Sequence, residues 1–134
     1  VFIEIDQADS TPLYLQLRNQ IVAAIAAGEL EPGDSLPSVR SLGRDLGINL
    51  HTVNKAYAVL RDEGYLLIRG RAGAQVAAPS RAGGERGAAG KRLEDGLLLL
   101  VQAHKAAGGE RSDFEGAVRG VLDDVYQADR GDIR

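Results

Sequence analysis

Apolar positions along this chain change their spacing several times, and each change marks an element. Phe2 to Asp6, in FIEID, alternate apolar and acidic residues with period two, which predicts a short strand. DSTP then supplies a helix start, with Thr11 as N-cap and Pro12 at the first helical position, where a missing N–H does no harm. Leu13, Leu17, Ile21 and Ile25 recur every four residues, and Gly28 closes that helix. LEPGDSLP is a turn by composition. Ser38 caps a short helix with Val39, Leu42 and Leu46 on one stripe, and Gly47 breaks it.

A second helix follows at once. Val53, Ala56, Tyr57 and Leu60 fall at i, i+3, i+4 and i+7, which fixes its buried face. A rotation of about 100° per residue puts His51 and Lys55 nearly opposite Val53, with Thr52 and Asn54 on the flanks. Asp62 shares that outer face but lies about three turns downstream. The tip is therefore polar and free of acid. YLLIRGRAGAQVA reads as two short strands around a Gly-rich, arginine-bearing turn.

Residues 78–92, APSRAGGERGAAGKR, hold little apolar content and read as a linker. Leu93, Leu97, Leu100, Val101 and His104 form a helical stripe, and Gly108-Gly109 a turn. Ser112 followed by Glu115 has the spacing of a capping box. It would open a helix with Phe114, Val118, Val121, Leu122 and Val125 on one face. No internal repeat is evident. The pattern divides the chain into a first domain over 1–77, a linker over 78–92 and a helical unit over 93–130. The fold class is mostly α, with one small hairpin.

Composition narrows the function. With 44% hydrophobic and 26% charged residues, the 134-residue chain is globular, and no apolar run is long enough to cross a bilayer. The opening VFIEIDQ lacks a basic stretch, so no secretory start is expected, and the absence of cysteine excludes disulfides and zinc-thiolate sites. A cytoplasmic protein is the default. The net charge of −3 argues by itself against a nucleic-acid partner. That charge is segregated, however. From Leu36 to Val76 six basic residues face three acidic ones, while the remainder carries ten against sixteen.

Two helices joined by a glycine turn have the dimensions of a helix-turn-helix, whose second helix enters the DNA major groove tip first. Asn can pair with adenine, Lys can reach guanine or phosphate, and Thr and His can hydrogen-bond to either. A hairpin tipped with Arg69 and Arg71 makes a wing, and Gly70 and Gly73 let it approach the DNA backbone. A polar helix face alone is more often merely solvated, and RGRAG alone more often a surface turn. The order strand, helix, helix, turn, helix, hairpin favours the winged helix.

The stretch PLYLQLRNQIVAAIAAGELEPGDSLPSVRSLGRDLGINLHTVNKAYAVLRDEGYLLIRGRAGAQVA resembles the N-terminal domain of GntR-family transcriptional regulators. The resemblance covers Pro12 to Ala77 through G-x-L-x-P-G-D-x-L-P-S, L-G-I-N, T-V-x-K-A-Y and L-x-x-E-G-Y. With N-x-x-T-V-x-K-A-Y and a short tail, it is similar to the YtrA-like subfamily. That likeness implies a dimeric, sequence-specific DNA-binding repressor, with the tail as a small helical dimerisation unit. It assigns Arg40, in L-P-S-x-R, to gripping DNA near the start of the second helix, beside Ser38. Leu50 and Asn54 stand where many members carry arginine, so Asn49, Leu50, His51, Thr52, Asn54 and Lys55 become the candidate contacts. In the wing Arg71 replaces the first glycine of the family's G-x-G-T-F-V, joining Arg69 and Gly73.

Two amphipathic helices on a linker need another apolar surface. A second subunit supplies it through Leu93, Leu97, Leu100, Val101, Phe114, Val118, Val121, Leu122 and Val125. Paired recognition helices would then suit a palindromic operator. No catalytic triad, phosphate loop or metal-ligand spacing occurs, so neither an enzyme nor a resident cofactor is expected. His51 lacks a second ligand and reads as a polar surface residue, and His104 as a partly buried interface residue. Tyr14 and Tyr57 read as core, and Asp123 and Asp124 face different directions. Two alternatives remain: a small-molecule effector bound at the helical dimer interface, and a winged helix used for protein interaction.

Overall fold

The computed structural model describes residues 3–70, 73–79 and 83–133. Its elements run α1 (Leu13–Ala26), α2 (Val39–Leu46), α3 (Leu50–Asp62), β1 (Leu66–Ile68), β2 (Ala74–Val76), α4 (Gly83–Ala106) and α5 (Arg111–Ile133). They fall into two compact units, Val1–Pro79 and Ser80–Arg134.

In the first unit α3 is the centre, packed on α1, α2 and β1. Its stripe of Val53, Ala56, Tyr57 and Leu60 is buried with Leu17, Ile21 and Ala24 of α1, Leu42 of α2, and Leu66, Ala74 and Val76 of the hairpin. Fully burying such aliphatic side chains is worth roughly 1.5–3 kcal/mol each, so this one cluster holds three helices and the sheet together. Gly47 ends α2 at φ 70°, a left-handed conformation that glycine adopts without a Cβ clash.

β1 and β2 pair antiparallel, Leu66 opposite Val76 and Ile68 opposite Ala74. The segment 33–36 lies along the other side of β2: Gly33 N donates to Val76 O (2.8 Å), Val76 N to Asp34 O (2.9 Å) and Leu36 N to Ala74 O (2.9 Å). These bonds fasten the loop before α2 to the wing, so the two cannot shift independently.

Two local expectations fail here. Residues 3–6 form no strand; Phe2 lies outside the described residues. Helix side chains, not a neighbouring strand, satisfy this backbone. Gln20 Oε1 accepts from Glu4 N (2.9 Å) and Gln16 Oε1 from Asp6 N (2.9 Å). Gln16 Nε2 donates to the carbonyls of Asp6 (2.9 Å) and Thr11 (2.8 Å), which explains why a glutamine is buried. The alternation still has a purpose, since Ile3 and Ile5 pack against the core. The α1 cap also sits one residue later than expected. Pro12 is the N-cap and lends no side-chain bond, while Thr11 N donates to Asp9 Oδ1 (2.9 Å).

The second unit is the pair α4 and α5. The stretch expected as a linker is helical from Gly83 onward, so α4 starts ten residues before Leu93. His104 closes the turn. Its Nε2 donates to Glu110 O (3.0 Å), and its ring meets Phe114 edge-on, centroids 5.4 Å apart. A Cβ at Gly109 would overlap that imidazole, so any other residue there would displace the ring from Glu110 and Phe114. The capping box at Ser112 does not form, because α5 already begins at Arg111. The backbone of Glu110 accepts from Asp113 N and Phe114 N, and Glu115 pairs with Arg111 (3.5 Å).

Candidate nucleic-acid interface

The tip of α3 is built by its cap. Asn49 Oδ1 accepts from His51 N at 2.8 Å, satisfying one of the free N–H groups at the helix end. Half of the Asn49 amide is thereby committed to structure, which sequence reasoning had placed wholly among the contacts. Beyond it His51, Asn54 and Lys55 are exposed, and Leu50 and Thr52 half-buried. The buried stripe behind them fixes the direction of this face.

Lys55 does not stand free in solvent. Its Nζ lies 4.1 Å from the centre of the Tyr14 ring, the second residue of α1. Leu13, Tyr14, His51, Thr52 and Lys55 line one shallow cavity of about 410 Å³ where the starts of α1 and α3 meet. Among the described residues no carboxylate lines it.

On α2, Ser38 Oγ accepts from Ser41 N (3.1 Å), so the cap forms although Ser41 replaces an acid. Arg40, in the first turn, is exposed. In the wing Arg69 is exposed and Gly73 half-buried. Arg69 N donates to Gly73 O (3.0 Å), while Gly70 and Gly73 hold positive φ, so the turn needs both glycines. Arg71 lies outside the described residues.

Gly43 and Arg18 escaped the sequence reading, as did the hydroxyl bond of Tyr57, which was read only as core. Gly43 sits where α2 crosses the start of α3: a Cβ there would stand 3.0 Å from Ile48 O and 3.4 Å from Leu50 Cα. A glycine in the middle of a helical stripe was the available signal. Tyr57 hydroxyl donates to Pro37 O (2.7 Å), pinning the loop before α2, and burial pushes its pKa up to about 12. Arg18 on α1 grips Glu63 just past α3 through two bonds, 2.8 and 3.0 Å long. That bond to Glu63 raises the guanidinium pKa against the opposing effect of burial. No local pattern foretold it.

In the second unit, Leu93, Leu97, Leu100, Val101, Val121, Leu122 and Val125 are exposed, while Phe114 and Val118 are half-buried. Leu100 and Val121 keep 61% and 62% of their surface in water. Among the described residues no group of metal-binding side chains occurs, and no helix is long and apolar enough to cross a membrane.

Residues 13–76 match the family described as bacterial regulatory proteins, gntR family. The chain is 36% identical to the HTH-type transcriptional repressor YtrA of Bacillus subtilis, over 78% of this chain and 80% of that protein. An HTH-type transcriptional regulator of Mycobacterium tuberculosis is 39% identical over 54% of this chain; the match spans 60% of that relative. Among solved structures, YtrA from Sulfolobus acidocaldarius, a GntR-family transcription factor, is 41% identical, with a TM-score of 0.57 over 70% of this chain and 99% of its own. The fold and interface define a winged-helix regulator with a helical tail. The chain belongs to the GntR family of bacterial regulatory proteins, a family of regulators rather than enzymes.

Proposed function

We propose that the chain is a cytoplasmic, dimeric repressor that reads a palindromic operator through the tip of α3. The carrying observation is the placement of His51, Asn54 and Lys55 on the face opposite the buried stripe, with no carboxylate among them. Such a tip presents donors and acceptors suited to base edges and phosphates. Arg40 on α2 and Arg69 on the wing add exposed cations in the same unit, and Arg71 and Gly73 are assigned to the wing contact with them. The relation to a protein named a transcriptional repressor supports the sign of regulation.

The dimer rests on the second unit. Leu98 and Leu99, off the main stripe of α4, are also exposed, at 56% and 68%. A helix apolar on several sides is ordinarily buried, and a second copy of the α4–α5 pair offers a matching surface. The cavity of about 500 Å³ lined by Val101, His104, Lys105, Phe114 and neighbours supports a second reading, a small-molecule effector at that interface.

Selection from a pool of random duplexes tests the main reading. Enrichment of an inverted repeat with half-sites about one helical turn apart is expected. Enrichment of nothing above the starting pool would remove the operator reading.

A further inference from the structure

An exposed lysine on a recognition helix has two chemical uses: it can point along the groove at guanine, or bend to the rim and hold a phosphate. The direction of the side chain decides between them. Lys55 bends toward α1, its ammonium resting 4.1 Å above the Tyr14 ring centre. Tyr14 packs against the hydrophobic core, so the ring is a fixed platform rather than a second mobile side chain. An ammonium over a ring face is held electrostatically, yet its remaining N–H groups stay free to donate. Among the described residues Lys55 has no ion-pair partner that would compete for them.

We propose that Tyr14 is a positioning residue that makes Lys55 a phosphate anchor, leaving base discrimination on α3 to His51 and Asn54. The proposal rests on the operator reading above and deepens it. A lysine drawn sideways toward a neighbouring helix leaves the centre line of α3 and reaches the groove's edge, where the sugar-phosphate chain runs. The shallow cavity beside it, lined by Tyr14, His51 and Thr52 and by no carboxylate among the described residues, leaves room for a phosphate oxygen. Fixing the lysine in advance also lowers the side-chain entropy lost on binding.

The test is fluorescence anisotropy over a salt series, using the selected duplex and an unrelated random duplex. Lys55→Met should weaken both by about tenfold, leave their affinity ratio unchanged and lower the log–log salt slope by about 0.9. Tyr14→Leu should weaken both by about two- to fivefold, the range expected for an exposed cation–π contact. Tyr14→Phe, which keeps the ring, should restore wild-type affinity. In the Lys55→Met background Tyr14→Leu should have no further effect.

Collapse of the selected-to-random ratio in Lys55→Met would make Lys55 a base reader and overturn the proposal. An equal cost of Tyr14→Leu with and without Lys55 would do the same, by making Tyr14 mere packing. Lys55 is exposed, so its variants report even where Tyr14→Leu loses the fold. A wild-type protein that binds neither duplex would instead sink the operator reading itself, a distinguishable result.

Discussion

Arg18 and Glu63 stand 45 residues apart, yet the guanidinium of one faces the carboxylate of the other with Nε 2.8 Å and Nη2 3.0 Å from its two oxygens. The pair ties the middle of α1 to the residue that ends α3, and Arg18 also lies 5.8 Å above the Tyr65 ring. Both side chains are roughly a quarter to a third exposed, at 23% and 34%, so solvent screens the pair only in part. The C-terminal end of α3 is thereby clamped to α1.

Removing the arginine should therefore cost more than removing an ordinary surface charge. Arg18→Met is expected to lower unfolding stability by about 1–2 kcal/mol, above the median near 0–1 for fully exposed pairs. A double-mutant cycle in urea with Glu63→Gln should return a coupling of comparable size. Purely additive costs would show that the two groups do not stabilise each other.

Tyr57 predicts a dependence on high pH. Its pKa is raised by burial to about 12 from an ordinary value near 10. Between those values the folded state keeps a proton that the unfolded state has released, so stability falls as pH rises through that window. The full loss is on the order of 3 kcal/mol. Tyr57→Phe should lack this component, and at neutral pH should lose about 1 kcal/mol with the bond to Pro37. Urea midpoints at mildly and strongly alkaline pH compare the two; parallel curves for both proteins would disprove the assignment.

Asn49 separates capping from reading. Asn49→Ser keeps a capping oxygen and should leave stability nearly unchanged, whereas Asn49→Ala should cost about 1 kcal/mol. If the residue is mainly a cap, Asn49→Ser also leaves the order of preference among selected duplexes intact. A changed preference at one base position would restore Asn49 to the readers.

Much of this was legible beforehand, for a physical reason. The stripe of Val53, Ala56, Tyr57 and Leu60 has one helical solution, and its polar opposite face followed from rotation alone. What escaped was made by residues outside each pattern, some distant in sequence and some adjacent. FIEID has the alternation of a strand, but Gln16 and Gln20 supplied its hydrogen bonds from a helix. Ser112 and Glu115 have capping-box spacing, yet Glu110 started the helix and Arg111 took the glutamate. Tyr14 looked like core and is also the platform of Lys55, which only the approach of α1 to α3 reveals.

The exposed faces of α4 and α5 predict self-association. Leu100→Arg should raise the dimer dissociation constant by more than about 100-fold, since a charge buried without a partner costs several kcal/mol. Sedimentation equilibrium would show it, with circular dichroism confirming that α1 to α3 remain folded. An undisturbed dimer would place the interface away from Leu100.

The most direct measurement compares the wild type with His51→Ala/Asn54→Ala on the selected and the random duplex at one fixed salt concentration. Each lost base contact is worth about 1–3 kcal/mol of discrimination, so the affinity ratio should fall by at least about tenfold while random-duplex binding barely changes. An unchanged ratio in a folded double variant would contradict the claim that the tip of α3 reads the sequence.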